Sequence, residues 1–134
     1  MEPQFVKIKE TCLYVSNLER TQAFYEGKLG LTVISFVAGR HAFFKAGSSV
    51  LLCFNPAVTK HETKLPPHFG EGKLHLAFEA TPEDYEAWKT KLATENIEVV
   101  HEQKWGKHFR SCYFYDPDGH CLEIVETGMW ERDE

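Results

Sequence analysis

Hydrophobic and polar residues alternate along residues 6–15, VKIKETCLYV, a pattern typical of a β-strand. Ser16 and Glu19 then have the spacing of a capping box, in which Ser16 caps a helix. Apolar residues at helical spacing and terminal glycines predict this helix in LERTQAFYEGKLG. Three more strand patterns, separated by glycine-containing turns, follow in LTVISFVAG, RHAFFKAG and SSVLLCFNP. Residues 6–55 are therefore predicted to form a β-α-β-β-β module.

The same order of elements returns after residues 56–72, a stretch rich in proline and polar residues that is predicted to be a linker. GKLHLAFEA is a predicted strand, and Thr81 with Pro82 forms a helix start. EDYEAWKTKLATE is the predicted helix, and IEVVHEQK, HFRSCYFY and GHCLEIVE are the predicted strands of residues 73–127. The fold class is α+β, with two tandem βαβββ modules forming a curved mixed sheet within one domain, residues 1–134.

Alternation within three of these strands sends ionisable side chains to one face. If the leucine-rich faces lie under the helices, then Glu10, His75 and Glu123 all take the opposite face. Imidazole and carboxylates suit Zn, Mn, Ni, Co or Fe, and three protein ligands leave positions open for water or substrate. The alternative is that Glu123 pairs with Arg110 or Lys104, His75 is a core histidine and Glu10 faces solvent.

Composition and charge narrow the function classes. A net charge of −5 disfavours nucleic-acid binding, which requires a basic face. The four cysteines form no CxxC pair and are expected to be free thiols. No apolar run is long enough to span a membrane, and the N-terminus lacks a signal-peptide pattern, so a cytoplasmic protein is predicted. Because the net charge is acidic, a small-molecule substrate is expected in place of nucleic acid.

The paired module order, together with SNLERTQAFYEGKLGLTV, KLHLAF and YFYDPDGHCLEIVE, resembles the vicinal oxygen chelate superfamily. This superfamily includes glyoxalase I, fosfomycin-resistance proteins, bleomycin-binding proteins and extradiol dioxygenases. The resemblance implies that His75 and Glu123 are metal ligands. Glu10 falls where most members have His, and it is predicted to be the third ligand. Glyoxalase I members carry one more Glu in the last strand of the first module, where this chain has Leu52 and Cys53.

The resemblance also implies substrate contacts outside the metal ligands. Ser111 and Tyr113 match a Ser and a Tyr of the fosfomycin-resistance proteins, in which nearby basic residues hold the phosphonate. Lys104 and Arg110 are the corresponding basic candidates, and Arg132 matches a further arginine. Independently of the resemblance, Arg40 lies at a predicted hairpin of the first module, where it would line the pocket mouth or be a turn residue. Cys12 replaces a threonine that the phosphonate enzymes use, which counts against that activity.

The chemistry implied by the superfamily is the chelation of a substrate through two adjacent oxygens. A glyoxalase-like lyase or isomerase ranks first, with Glu10 or Glu123 as the catalytic base. A fosfomycin-resistance-type thiol transferase ranks second, and a dioxygenase, which would require a two-His, one-carboxylate site, ranks third. A non-enzymatic ligand-binding protein of the bleomycin-binding kind is the remaining alternative. Glutathione or another thiol is the expected co-substrate of the first two, and a homodimer is expected.

Overall fold

The computed structural model describes residues 1 to 131. The chain divides into two compact units, Met1–Gly72 and a second unit that begins at Lys73. Each unit holds one four-stranded mixed sheet. The strand order and connections confirm the predicted α+β class with tandem βαβββ modules.

The sheet of the first unit has the order β1-β4-β3-β2. Its strands are β1 (Glu10–Tyr14), β2 (Thr32–Val37), β3 (His41–Ala46) and β4 (Ser49–Phe54). Strand β1 runs parallel to β4, and the other neighbours are antiparallel. The first strand begins later than the alternation predicts, because the partner strand β4 starts only at Ser49 and offers residues 6–8 no register partner.

Helix α1 (Leu18–Gln22) continues directly into a π-helical turn, Ala23–Lys28. The helical segment thus ends between Gly27 and Gly30, where the sequence predicted its end. Its aromatic residues Phe24 and Tyr25 are buried and meet edge to face, with ring centroids 5.0 Å apart. Tyr25 also lies 5.5 Å from the ring of Phe44 on β3. These aromatic rings therefore pack the helical segment against β3.

The N-cap of helix α1 is Asn17, so the prediction of Ser16 as the cap is wrong by one residue. The Asn17 side chain accepts a hydrogen bond from the Arg20 amide at 2.9 Å, which satisfies one of the unpaired donors of the first turn. Ser16 instead accepts a hydrogen bond from the Arg20 guanidinium. Both residues are common caps, and sequence spacing alone did not separate them.

The predicted linker contains one regular element, helix α2 (Pro56–Thr59), which the sequence pattern did not indicate. Asn55 caps this turn through the Ala57 amide, and Pro56 occupies the first helical position, where no amide hydrogen is needed. The buried Thr59 hydroxyl at the end of α2 donates to the carbonyl of His68. This bond connects helix α2 to the loop that follows it.

The second unit repeats the arrangement with the order β5-β8-β7-β6. Its strands are β5 (His75–Ala80), β6 (His101–Trp105), β7 (Phe109–Tyr115) and β8 (Cys121–Glu126). Helix α3 (Pro82–Thr94) packs against β5 and β8. The Thr81 hydroxyl accepts from the Asp84 amide at 3.1 Å, which confirms the predicted cap.

Alternation in the second unit separates an apolar face from a polar one. The fully buried Tyr85 and Leu92 of α3 lie on the apolar side, where Phe114 and Leu122 face each other in register. Cys121, Glu123 and Val125 alternate to the other face of β8. Among the described residues, no helix is long and apolar enough to cross a membrane.

Candidate metal centre

His75 is the first residue of β5, and its imidazole is held in one orientation. Its Nδ1 lies 2.8 Å from the carbonyl oxygen of Cys121 on the neighbouring strand. A carbonyl can only accept a hydrogen bond, so Nδ1 carries the proton. The other ring nitrogen, Nε2, lies 3.2 Å from Oε1 of Glu123. Backbone anchoring of one imidazole nitrogen is the usual arrangement of a metal-binding histidine.

Glu123 lies in the middle of β8 and is buried, with 9% of its surface exposed. Two donor atoms on one divalent ion, at metal–ligand distances of about 2.0–2.2 Å, lie roughly 2.8–3.5 Å from each other. The 3.2 Å between Nε2 and Oε1 falls in this range. A buried carboxylate facing a fixed imidazole nitrogen at this separation therefore fits a divalent cation.

Tyr113 and Ser111 lie on the same face as Glu123, because Tyr113 is directly opposite Glu123 in the β7–β8 register and Ser111 is two residues before it. Burial is the main cause that raises the pKa of Tyr113, with the Glu123 charge adding to it. The Tyr113 ring also stacks near His75, at 6.3 Å between centroids.

Lys104 and Arg110 lie on the opposite face of the sheet, and the structure does not bring them to the His75–Glu123 pair. The two residues are register partners on β6 and β7. Arg110 alternates with Ser111 along β7, so their side chains must leave the strand on opposite sides. The expectation that Lys104 and Arg110 hold an anionic substrate beside the metal does not fit this placement.

Arg110 is engaged by two carboxylates. Its backbone amide, Nε and Nη2 donate to the buried Glu126 at 2.7, 3.2 and 2.9 Å, and its Nη1 donates to Glu86. The guanidinium also lies 4.5 Å from the ring centroid of Tyr85. These hydrogen bonds raise the pKa of Arg110 and lower that of Glu126. Arg110 therefore ties α3 to the sheet.

Glu10 is the first residue of β1 and is exposed. It shares a face of β1 with Cys12 and Tyr14, on the side opposite the buried Leu13. Burial raises the pKa of the Cys12 thiol, and the charge of Glu10 adds to this shift. The role of Glu10 as a third ligand stays a prediction.

Arg40 precedes β3 and is bound within the first unit. It donates to Nδ1 of His41 and to Glu62 at 3.2 Å. Because a guanidinium only donates, Nδ1 of His41 is the acceptor and its Nε2–H donates to Ser35 at 2.9 Å. Burial lowers the pKa of His41, and the Arg40 charge lowers it further. The structure therefore gives Arg40 the role of holding a neutral, buried histidine.

Glyoxalase I members carry a further glutamate in the last strand of the first module, and this chain has no acidic side chain at the matching positions, Leu52 and Cys53. Leu52 lies in register with Cys12, and Cys53 is fully buried. Across residues 1 to 131, no three or more His, Cys, Asp and Glu side chains form a group that could hold a metal ion. The second unit by itself supplies two candidate ligands, His75 and Glu123. Arg132 lies outside the described residues.

Two residues of this face were missed by sequence reasoning. The carbonyl of Cys121 fixes the His75 ring, and Trp105 donates its indole N–H to Ser111 at 2.9 Å. The cross-strand register that creates both contacts is not visible in the sequence. The alternation of β6, which places Trp105 and His101 on one face, was the available signal for Trp105.

The Glyoxalase/Bleomycin resistance protein/Dioxygenase superfamily model matches residues 7–124. The chain belongs to this superfamily. Within it, a solved lactoylglutathione lyase from Agrobacterium tumefaciens is 31% identical, with a TM-score of 0.90. That alignment covers 97% of this chain and 100% of the lyase.

The chain is also similar to two curated thiol transferases. Glutathione transferase FosA of Serratia marcescens is 30% identical over 84% of this chain and 74% of its own length. Metallothiol transferase FosB of Staphylococcus epidermidis is 24% identical over 98% of this chain and 89% of its own length. The similarity thus extends to both a lyase and thiol transferases of the superfamily.

Proposed function

We propose that the protein is a metal-dependent glyoxalase-like enzyme, a lyase or isomerase that chelates a small substrate through two adjacent oxygens. The observation that supports this best is the fixed His75 imidazole, whose Nε2 faces the buried Glu123 carboxylate at 3.2 Å. The 31% identity and TM-score of 0.90 to a lactoylglutathione lyase over nearly the whole chain favour this reaction class.

His75 and Glu123 would hold the cation, and Glu10 is proposed as the third ligand. Zn, Mn, Ni, Co and Fe all accept this set of nitrogen and carboxylate oxygen donors. A bound divalent cation supplies Lewis-acid polarisation of a substrate oxygen. The Cys121 carbonyl keeps the proton on Nδ1 of His75 and leaves Nε2 as the donor atom.

Proton transfer in the proposed isomerisation needs a carboxylate that removes a proton from one carbon and returns it to its neighbour. Glu123 is buried in the middle of β8, whereas Glu10 is exposed at the start of β1. Glu10 or Glu123 is proposed as this base. Glutathione is the proposed co-substrate.

Turnover of methylglyoxal with glutathione tests this proposal. We expect activity that depends on an added divalent metal, and we expect His75→Ala and Glu10→Gln to abolish it. His61→Ala is the matched control, since His61 is an exposed loop histidine of the first unit. Full activity in His75→Ala would refute the proposed site. A metal-loaded protein that leaves methylglyoxal unchanged would refute the substrate class.

A thiol transferase of the fosfomycin-resistance kind is the second candidate. It is favoured by the 30% identity to a glutathione transferase FosA and by the placement of Ser111 and Tyr113 beside Glu123. The engagement of Arg110 by Glu86 and Glu126 weakens it, because that guanidinium is not available to an anionic substrate. Protection of cells against fosfomycin, without lyase activity, would reverse the ranking.

We further propose that the protein is a cytosolic homodimer. Phe5, Val6 and Ile8 of the N-terminal segment are 100, 96 and 79% exposed in the single chain, and a second copy is the simplest cover for them. All four cysteines are free, which suits a reducing compartment. Light scattering that gives the mass of one chain would contradict the dimer.

A further inference from the structure

The face of the first sheet that lies away from helix α1 carries a group of aromatic side chains. Phe44 packs against the helical segment, so Phe43 and His41 leave β3 on the opposite side. Phe54, the last residue of β4, has Tyr14 and His41 as its register partners on either side. Its ring centroid lies 5.3 Å from that of Phe43 and 6.5 Å from that of Tyr14. Tyr14, Phe43 and Phe54 together form an aromatic floor.

Residues 60–70, the strap, follow helix α2 and lie over this aromatic floor. The imidazole of His68 lies on Phe54, with 4.9 Å between the ring centroids. Gly70 is so close to Tyr14 that a Cβ at this position would be 2.6 Å from the tyrosine ring. The Thr59 hydroxyl donates to the His68 carbonyl and holds the strap to the end of α2. The strap therefore covers Phe54, which is 3% exposed.

The strap also supplies a carboxylate to Arg40 beside the aromatic floor. Glu62 Oε2 accepts a hydrogen bond from Arg40 Nη2 at 3.2 Å. The guanidinium carbon of Arg40 lies 5.9 Å from the centroid of Phe54, so the cation and the His68 imidazole adjoin the same ring. One planar ring and one carboxylate, both from the strap, thus occupy neighbouring positions on the floor.

A second contact keeps Arg40 in place when Glu62 leaves. Its Nη1 donates to Nδ1 of His41, and Nε2–H of His41 donates to Ser35 at 2.9 Å. The His41 ring is stacked on Phe43, with 3.9 Å between centroids, and is buried. Without Glu62, the guanidinium therefore keeps its orientation, and its positive charge is available to another anion.

We propose that Arg40 and the aromatic floor form a second small-molecule site, which binds an aromatic carboxylate, and that the strap is its built-in competitor. His68 takes the position of the ligand ring, and Glu62 takes the position of the ligand carboxylate. Flat rings stack on aromatic side chains, and a guanidinium binds a carboxylate through paired hydrogen bonds. The ligand binds when the strap lifts, so its apparent affinity is reduced to the fraction of molecules with an open strap.

Calorimetric titration of phenylacetate into the full-length protein tests this site. The double variant Glu62→Gln/His68→Ala removes both groups of the competitor and should bind phenylacetate at least about tenfold more tightly than the wild type. His61→Ala/Glu71→Gln, which changes two exposed residues of the same loop, is the matched control and should bind as the wild type does. Benzyl alcohol has the ring without the charge, and acetate has the charge without the ring. Both should bind the Glu62→Gln/His68→Ala protein more weakly than phenylacetate does.

The role of the charge is tested by adding Arg40→Gln to Glu62→Gln/His68→Ala. This change should lower the affinity for phenylacetate to that for benzyl alcohol, and an unchanged affinity would overturn the carboxylate site. Equal phenylacetate affinity of the wild type and Glu62→Gln/His68→Ala would overturn the competitor role of the strap. The gain in affinity should persist when His75→Ala is added, because the site lies in the first unit. Its loss there would place phenylacetate at the proposed metal ligands and overturn the second site.

Trypsin cleavage of the wild-type protein tests the strap without any substitution. Lys60 and Lys64 are exposed residues of the strap. Saturating phenylacetate should speed cleavage after them by at least about threefold, because a bound ligand favours the open strap. Acetate at the same concentration should leave the rate unchanged. Phenylacetate binding without faster cleavage, or no binding to the wild type and to Glu62→Gln/His68→Ala, would overturn the proposal.

Discussion

Replacement of Glu126 by Gln should destabilise the protein strongly, because this buried carboxylate holds Arg110. The Glu126 side chain is 4% exposed and accepts from the Arg110 amide, Nε and Nη2 at 2.7, 3.2 and 2.9 Å. Gln preserves the shape and one acceptor oxygen but removes the charge from the two guanidinium bonds. Hydrogen bonds to charged groups contribute about 1.5–3 kcal/mol each, and Arg110 can recover part of this through water and Glu86. We therefore expect the free energy of unfolding to fall by about 2–3 kcal/mol.

Urea unfolding followed by circular dichroism measures this loss, and a fall of about 2–3 kcal/mol should lower the thermal midpoint by roughly 10 °C. The Arg110 hydrogen bond lowers the pKa of Glu126. A depressed carboxyl pKa gives stability that is present above the unfolded value of about 4.3 and is lost as the pH falls through the folded value. The difference between wild type and Glu126→Gln should thus be constant from neutral pH to about pH 5 and shrink below pH 4.

Glu79→Gln is the control, because Glu79 is exposed on the neighbouring strand β5. It should change the unfolding free energy by less than about 0.5 kcal/mol. A loss in Glu126→Gln no larger than that of the control would refute the structural role of Arg110. A difference that persisted unchanged at pH 3 would show that charge is not its cause.

Further predictions concern the helix caps and the buried tyrosine. Asn17→Ala should cost about 1 kcal/mol of unfolding free energy, and Ser16→Ala clearly less, because the Asn17 side chain accepts from a backbone amide of the first turn and Ser16 accepts from the Arg20 guanidinium; equal losses would contradict the assigned cap. Tyr85→Phe should cost about 1–2 kcal/mol, since its hydroxyl donates to Glu102 at 2.6 Å from a fully buried ring. Burial, and after it the Glu102 hydrogen bond, raises the pKa of Tyr85, so its phenol should stay protonated in an alkaline absorbance titration until the protein unfolds.

The fold was largely predictable because local patterns and the repeat agreed. Alternation in β5 and β8, together with the Thr81–Pro82 helix start, indicated the second module correctly. The N-cap of the first helix was predicted one residue too early, because Ser16 and Asn17 are both favourable N-cap residues. Helix α2 was missed because a single turn has no periodicity to detect.

The site was predictable only as far as strand alternation reached. His75 and Glu123 were expected to share a face, and they lie 3.2 Å apart at their nearest polar atoms. Arg110 and Ser111 were both expected at the substrate, although neighbours in a regular strand point to opposite faces. The register with β8 decides that Ser111, and not Arg110, lies on the face of His75 and Glu123, and sequence alone did not supply this register.

Metal stoichiometry is the most direct measurement of the central claim. Zn²⁺ titrated calorimetrically into metal-free protein should bind at one ion per chain, and His75→Ala and Glu123→Gln should each weaken binding by at least about 100-fold, because each removes a ligand. Wild-type affinity in His61→Ala would show that the loss is specific to His75. Zn²⁺ binding with equal affinity in wild type, His75→Ala and Glu123→Gln, or no binding at all, would contradict the account.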